Sequence, residues 1–367
     1  LRTLAHKQLT LAHSKENQNL EKEWRRHRAL KPWRPMVMVE MTTFEQEIIP
    51  NRLQCSTDLG RQIESTFYQE FLNRELFNDD KVVRDFFPVN WKTWFTLFDI
   101  EIHVTKAKGS TDNLGHQFNH VIRNLKEDLP KLGESTYGVN KEDTLAYKTF
   151  LEEIIGDIIP VKLNGTCLAS VPSQKVVHMM GMENMFMAMY DSPDSLKDMM
   201  NRIANDYIAF FRHLESEKVL LPTNNNQHLG QGTLCYTHEL SNKEENLRTS
   251  DLWGFMDSQE TVGISPDMFG EFFYPAYEKI AKEFGLLSYA CCEPVENLFD
   301  PYISKFKNLR NISISPWCDE EFMGERLKNS NIIYHRKPSP NFLGVSRNLD
   351  EKSLREHIQK TWNAASG

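Results

Sequence analysis

Short apolar runs alternate along this chain with stretches of helical spacing. Residues 36–41, Met-Val-Met-Val-Glu-Met, follow the turn formers Pro32-Trp33-Arg34-Pro35 and predict a buried strand. Leu59, Ile63, Phe67 and Phe71 recur every four residues, which makes 57–77 an amphipathic helix. Val82 to Val89 reads as a second strand, and 105–145, polar and glycine-containing, as an excursion from the main fold. Ile154 to Leu163 becomes strand-like at its end, and 194–217 carries Leu196, Met199, Ile203, Tyr207, Phe210 and Leu214 on one helical face. Strands are then expected over 251–257, 286–292, 311–317 and 332–336. Helices are expected over 266–284, with proline in the first turn, and over 295–306, 319–328 and 350–363.

Strand–helix repetition predicts a parallel sheet with helices outside it. No Gly-x-Gly-x-x-Gly follows the first strand and no phosphate loop is present. The expected architecture is an α/β fold, a (β/α)₈ TIM barrel over 35–367, with an open doubly wound sheet as runner-up. Residues 1–34 are rich in cations and carry Leu4, Leu9, Leu11 and Leu20. They read as a solvated N-terminal helical extension that packs on the barrel wall or on a second subunit of a homodimer.

Composition narrows the class. The 367 residues suit one large barrel with additions. Lys and Arg total 43 against 51 Asp and Glu, a net charge of −8, which argues against a nucleic-acid partner. No apolar run approaches the roughly 18 residues of a membrane span. The six cysteines are scattered rather than arranged as a disulfide framework, and 1–34 has no signal-peptide core, so a reducing, cytoplasmic location is expected.

In a barrel, chemistry gathers where the strands end. The expected ends are Glu40; Asp257-Ser258-Gln259-Glu260; Tyr289-Ala-Cys291-Cys292-Glu-Pro294; Ser315-Pro-Trp317-Cys-Asp319; and His335-Arg336-Lys337-Pro338. Adjacent side chains on a strand face opposite ways, so one of Cys291 and Cys292 is expected at the barrel mouth and the other outside. One thiolate with Glu260 and either His238 or His335 makes a three-ligand zinc site with an open position; alternatively both cysteines are small buried hydrophobes. The glycine-containing segment Gly230–Leu240 offers His238 as acid, base or ligand, or is a surface loop. Glu260 reads as a general base or ligand, or as an acid favoured by a helix N-terminus. Arg336 and Lys337 suit a carboxylate or phosphate, or a salt bridge to a neighbouring loop. Trp253 and Trp317 line a pocket or pack in the core, and the methionines of 179–189 read as core.

These segments are also familiar together. Tyr289-Ala-Cys-Cys-Glu-Pro294, Asn308-Leu-Arg-Asn-Ile-Ser-Ile-Ser-Pro-Trp317 and Arg336-Lys-Pro-Ser-Pro340 resemble the uroporphyrinogen decarboxylase superfamily, as do Tyr236-Thr-His-Glu-Leu240 and the stretch from Trp253-Gly-Phe to Ser265-Pro266. The nearest likeness is to its uncharacterised branch beside the cobalamin-dependent methyltransferases. The resemblance implies a (β/α)₈ barrel and one of two activities. True decarboxylases hold substrate carboxylates with an arginine-rich motif after the first strand; here that stretch is Val39-Glu-Met-Thr-Thr-Phe-Glu45, without arginine. The methyltransferases bind zinc through His-x-Cys and a later cysteine; Tyr289 stands at the histidine's place and Cys291 at the first cysteine's, and His335 is the nearest candidate for the later ligand. The resemblance therefore implies zinc-assisted methyl transfer to or from a corrinoid on a separate protein. Cys291, Glu260, His238 and His335 would be the candidate ligands, His238 and Glu260 the catalytic pair, and Glu40, Gln259, Tyr289, Trp317, Arg336 and Lys337 the substrate contacts. The alternatives are a metal-free decarboxylase or lyase that uses Arg336 and Lys337 on a carboxylate, and a non-catalytic ligand-binding barrel.

Overall fold

A computed structural model describes residues 1–41, 45–106, 116–342 and 348–366. The chain forms two compact units, Leu1–Trp94 with Gly138–Cys167 and Leu214–Arg248, and Phe95–Tyr137 with Leu168–His213 and Thr249–Gly367. Among the described residues no helix is long and apolar enough to cross a membrane.

The first unit is built on the helix Asp58–Leu76, whose Ile63, Phe67 and Phe71 are fully buried, as their four-residue spacing predicts, while Leu59 of the same expected stripe is exposed. They share a core with Phe87 and Val89 of the strand Phe87–Val89 and with Val161 of Val161–Leu163, which pairs with it in parallel. The N-terminal helices Arg2–Ala12 and Lys15–Arg28 are helical as expected, but not solvated all round. Ala5, Leu20, Trp24 and Arg28 are buried in this unit. Asn17 fixes them to the chain at Val83: its amide donates to the carbonyls of Ala12 (2.9 Å) and Val83 (3.0 Å) and accepts from the Val83 N–H (2.8 Å).

The strand expected at 36–41 does not form. Its backbone is held by acidic side chains instead of a ladder: Asp80 accepts from the Val37 N–H (2.6 Å), Asp79 from the Val39 N–H (2.7 Å), and the Asn73 amide donates to the Val39 carbonyl (2.7 Å). Side chains that satisfy a backbone this way compete directly with sheet pairing. Within 82–89, only Phe87–Val89 is strand.

The second unit carries the larger sheet: β1 Leu168–Ser170, β2 Trp253–Met256, β3 Leu286–Tyr289, β4 Leu309–Ile314 and β5 Ile333–Arg336. All neighbours are parallel, and order in space equals order in sequence. The protein is thus mixed α/β with a five-stranded parallel sheet. Every residue of β2 and β3 is buried, which explains why their sequences do not alternate regularly between apolar and polar. The long helix Pro193–Ser216 buries Leu196, Met199, Ile203 and Tyr207, the stripe legible in the sequence. The helix expected over 295–306 is instead a short helix, Glu296–Phe299, and a turn at Ile303–Lys305.

Gly254 in β2 is a packing requirement. A Cβ there would lie 2.0 Å from Cδ2 of the buried Phe284 ring, far inside van der Waals contact. Gly254→Ala is expected to destabilise the protein by about 1–3 kcal/mol through overpacking, read as a lowered urea midpoint. Phe284→Leu introduced beside it is expected to restore part of the loss; no recovery would mean the glycine is needed for another reason.

Candidate active site at the strand ends

Because β1 to β5 run parallel, their C-terminal ends share one edge, and several polar residues follow them. Ser170 closes β1 and lies in register with Met256, the last residue of β2. Asp257, Ser258 and Glu260 come next. Tyr289 closes β3, and Cys291, Cys292 and Glu293 follow it.

Glu293 joins two of these ends. One carboxylate oxygen accepts from the Ser258 N–H (2.9 Å) and the other from the Cys291 N–H (2.8 Å). Its pKa is raised by complete burial, against the pull of those backbone donors. Tyr289 is fully buried, with its hydroxyl 2.8 Å from the Ser258 hydroxyl and its ring near Tyr277 and Phe306. Tyr277 donates to the Asp257 carbonyl oxygen (2.7 Å) and accepts from the Ser173 N–H (3.2 Å), while the Ser173 hydroxyl donates to Glu260 (2.8 Å).

Asp257 stands out in this network. It is buried, and its Oδ1 has no hydrogen-bond partner among the described residues; the same holds for the Ser170 hydroxyl on the adjacent strand end. Burial, and then the charges of Glu293 and Glu260, push the Asp257 carboxyl up to about 8, while Lys337 opposes the rise. Its environment therefore favours the protonated carboxyl over the carboxylate. The sequence shows Asp257 at a strand end, but what sets its proton affinity arrives from other elements, so no local motif marks it.

The cysteine pair departs from strand alternation. The ladder stops at Tyr289, and Ala290 turns the chain with φ of 74°, a left-handed conformation unusual for a residue with a Cβ. The two sulfurs therefore lie 3.5 Å apart instead of on opposite faces, with Cys291 buried and Cys292 exposed. The hydrogen bond with Cys292, and then burial, raise the Cys291 thiol pKa. Lys337, one residue beyond β5, donates to the Cys291 carbonyl (2.9 Å) and approaches its sulfur (3.7 Å).

The other expected site residues are distributed as follows. Arg336 is committed to structure: it pairs with the buried Glu320 (2.8 Å) and donates to the carbonyls of Ile314 (3.0 Å) and Ser315. Gln259 is half-buried beside Asp257 in sequence, Trp253 is buried within β2, and Trp317 is exposed beyond β4. The His335 ring lies 3.5 Å from the Asn311 amide. Glu40 and His238 are exposed residues of the first unit. Two thiols 3.5 Å apart suit neighbouring corners of a zinc–thiolate site, whose Zn–S bonds of about 2.3 Å span slightly more. Among the described residues, however, no three His, Cys, Asp or Glu are grouped to hold a metal ion. Of the expected ligands, Cys291 lies against Cys292, Glu260 accepts from the Ser173 hydroxyl, and His335 lies beside Asn311.

No family model matches the chain, and no similar curated protein was found.

A carboxyl whose pKa is higher in the folded than in the unfolded chain binds its proton more tightly when folded. Its stabilising contribution is complete below about pH 4 and disappears as pH rises through about 8. Wild type is therefore expected to lose stability relative to Asp257→Asn across that window, by at most about 1.4 kcal/mol per pH unit. Denaturation at fixed ionic strength measures it, and parallel pH profiles for the two proteins would contradict the assignment.

Proposed function

We propose that this chain is a (β/α)₈ barrel enzyme of the uroporphyrinogen decarboxylase type that acts as a carboxy-lyase on a small carboxylated substrate. The sequential, all-parallel strand order supports the barrel, because a doubly wound sheet reverses its strand order at a switch point and this sheet does not. The observation that carries the reaction is Asp257: a buried, orphaned carboxyl that keeps its proton to about pH 8.

Decarboxylation breaks the bond between the substrate carbon and its carboxylate. Carbon dioxide leaves, and the electron pair remaining on carbon must take a proton. Asp257 supplies that proton and is left as a carboxylate, to be reprotonated from solvent before the next turnover. Lys337 provides the cation that attracts the substrate carboxylate. Arg336, expected to share that task, is held by Glu320. A positioned acid contributes about 10²–10⁴-fold to such a step.

A second reading rests on the thiol pair: zinc held by Cys291 and Cys292 and used for methyl transfer with a corrinoid protein. Zinc would supply Lewis-acid activation of a thiol there. Elemental analysis of protein purified without chelator separates the readings. Stoichiometric zinc that is lost on either Cys291→Ala or Cys292→Ala would favour methyl transfer.

For the carboxy-lyase, a panel of small aromatic and aliphatic carboxylic acids is scored by carbon dioxide release. Turnover is expected to fall by about 10²–10⁴-fold in Asp257→Asn, and in wild type to fall as pH rises through about 8. Lys337→Met is expected to raise KM more than it lowers kcat. Unchanged turnover in Asp257→Asn would remove Asp257 from the reaction.

A further inference from the structure

The turn after β3 places two thiols from adjacent residues against each other. Neighbouring side chains on a continuous strand would diverge. Here Ala290, at φ of 74°, ends the ladder and brings the Cys291 and Cys292 sulfurs to 3.5 Å. One thiol of the pair is open to solvent and the other is buried beneath it. The Cys291 backbone is held on both sides of the residue, its N–H by Glu293 (2.8 Å) and its carbonyl by the Ser313 hydroxyl (2.9 Å) and Lys337 (2.9 Å). The backbone that carries the pair is thus held in place by the fold.

We propose that Cys291 and Cys292 form a peroxide-reactive dithiol site, oxidised reversibly to a ring disulfide between adjacent residues. The exposed Cys292 sulfur attacks one oxygen of hydrogen peroxide. The O–O bond breaks, Cys292 becomes a sulfenic acid, and its proton leaves with the second oxygen as water. The Cys291 sulfur then attacks the sulfenic sulfur. The S–S bond forms as the S–O bond breaks, and the Cys291 proton leaves with the hydroxyl as a second water. Two thiols lose two electrons and one peroxide gains them, so the products are one disulfide and two waters.

The product is built to be reversible. Adjacent Cα atoms are about 3.8 Å apart across a trans peptide, whereas disulfides ordinarily span at least about 4.4 Å. Strained and exposed disulfides are the readily reduced, labile ones. Closing the ring also reorients the peptide whose carbonyl holds Lys337 and Ser313. This chemistry does not depend on the reaction proposed above, and its test does not use turnover.

Full-length reduced protein is treated with one equivalent of hydrogen peroxide, alkylated, digested and mapped by mass spectrometry. The peptide containing 291–292 is expected to be lighter by two hydrogens and unalkylated at both cysteines, and to regain both thiols with dithiothreitol. In Cys291→Ser, Cys292 is expected to be trapped as a sulfenic acid by dimedone, with no disulfide. The wild-type map decides by itself if that variant does not fold. Both cysteines alkylated while others are oxidised, a bridge to Cys318, or a bridge between two chains would each overturn the proposal.

Discussion

The candidate site depends on one buried carboxylate. Glu293 accepts the N–H of Ser258 after β2 and the N–H of Cys291 after β3, and so ties together two segments that the ladder no longer pairs. Without it, two buried backbone donors would be orphaned, each at about 1–3 kcal/mol, and neither turn would have a reason to keep its path. After burial itself, the charge of the same carboxylate does most to raise the proton affinity of Asp257. One side chain thereby shapes the dithiol turn and tunes the acid. It tolerates its own burial because both oxygens are bonded to backbone donors.

The scaffold was legible where the physics is local. β2 and β3 read as strands because parallel strands covered on both faces are mostly apolar, and 57–77 read as a helix because its buried face repeats with the helical period. The run at 36–41 has the same apolar signature but no ladder. Asp79, Asp80 and Asn73, distant in sequence, claim its backbone groups first. An apolar run announces burial; what its N–H and C=O groups bond to is decided by residues elsewhere in the chain.

The site was legible in outline and not in its assignments. The sequence points to strand ends as the candidate region, and Asp257, Cys291, Cys292 and Lys337 lie just beyond them in the structure. Arg336 and Lys337 show what sequence leaves open, since the two adjacent cations look equivalent on paper. Arg336, still in the ladder, is locked by Glu320 from the helix Glu320–Leu327, which also accepts from Thr361 (2.5 Å). Lys337, just past the ladder, reaches the cysteine turn. One residue of offset at a strand end separates an ion pair with Glu320 from a cation on the cysteine turn, because direction alternates along the strand. The cysteine pair fails in the opposite sense: alternation predicts divergence, and the left-handed Ala290, which no alanine announces, removes the alternation.

An acid, a cation and a dithiol within linked turns also constrain one another. Lys337 lowers the proton affinity of Asp257 while Glu293 and Glu260 raise it, so the acid's strength reflects where the ammonium sits. The ammonium is in turn anchored on the Cys291 carbonyl, in the peptide that joins the two thiols. A change of bonding at the sulfurs moves that peptide, the peptide moves the anchor, and the anchor sets the field at the acid. The coupling needs no distant conformational change, because Glu293 has already connected the two turns through their backbones. In this geometry, the redox state of a pair of neighbouring residues and the protonation of a carboxyl on the next strand are properties of the same small network.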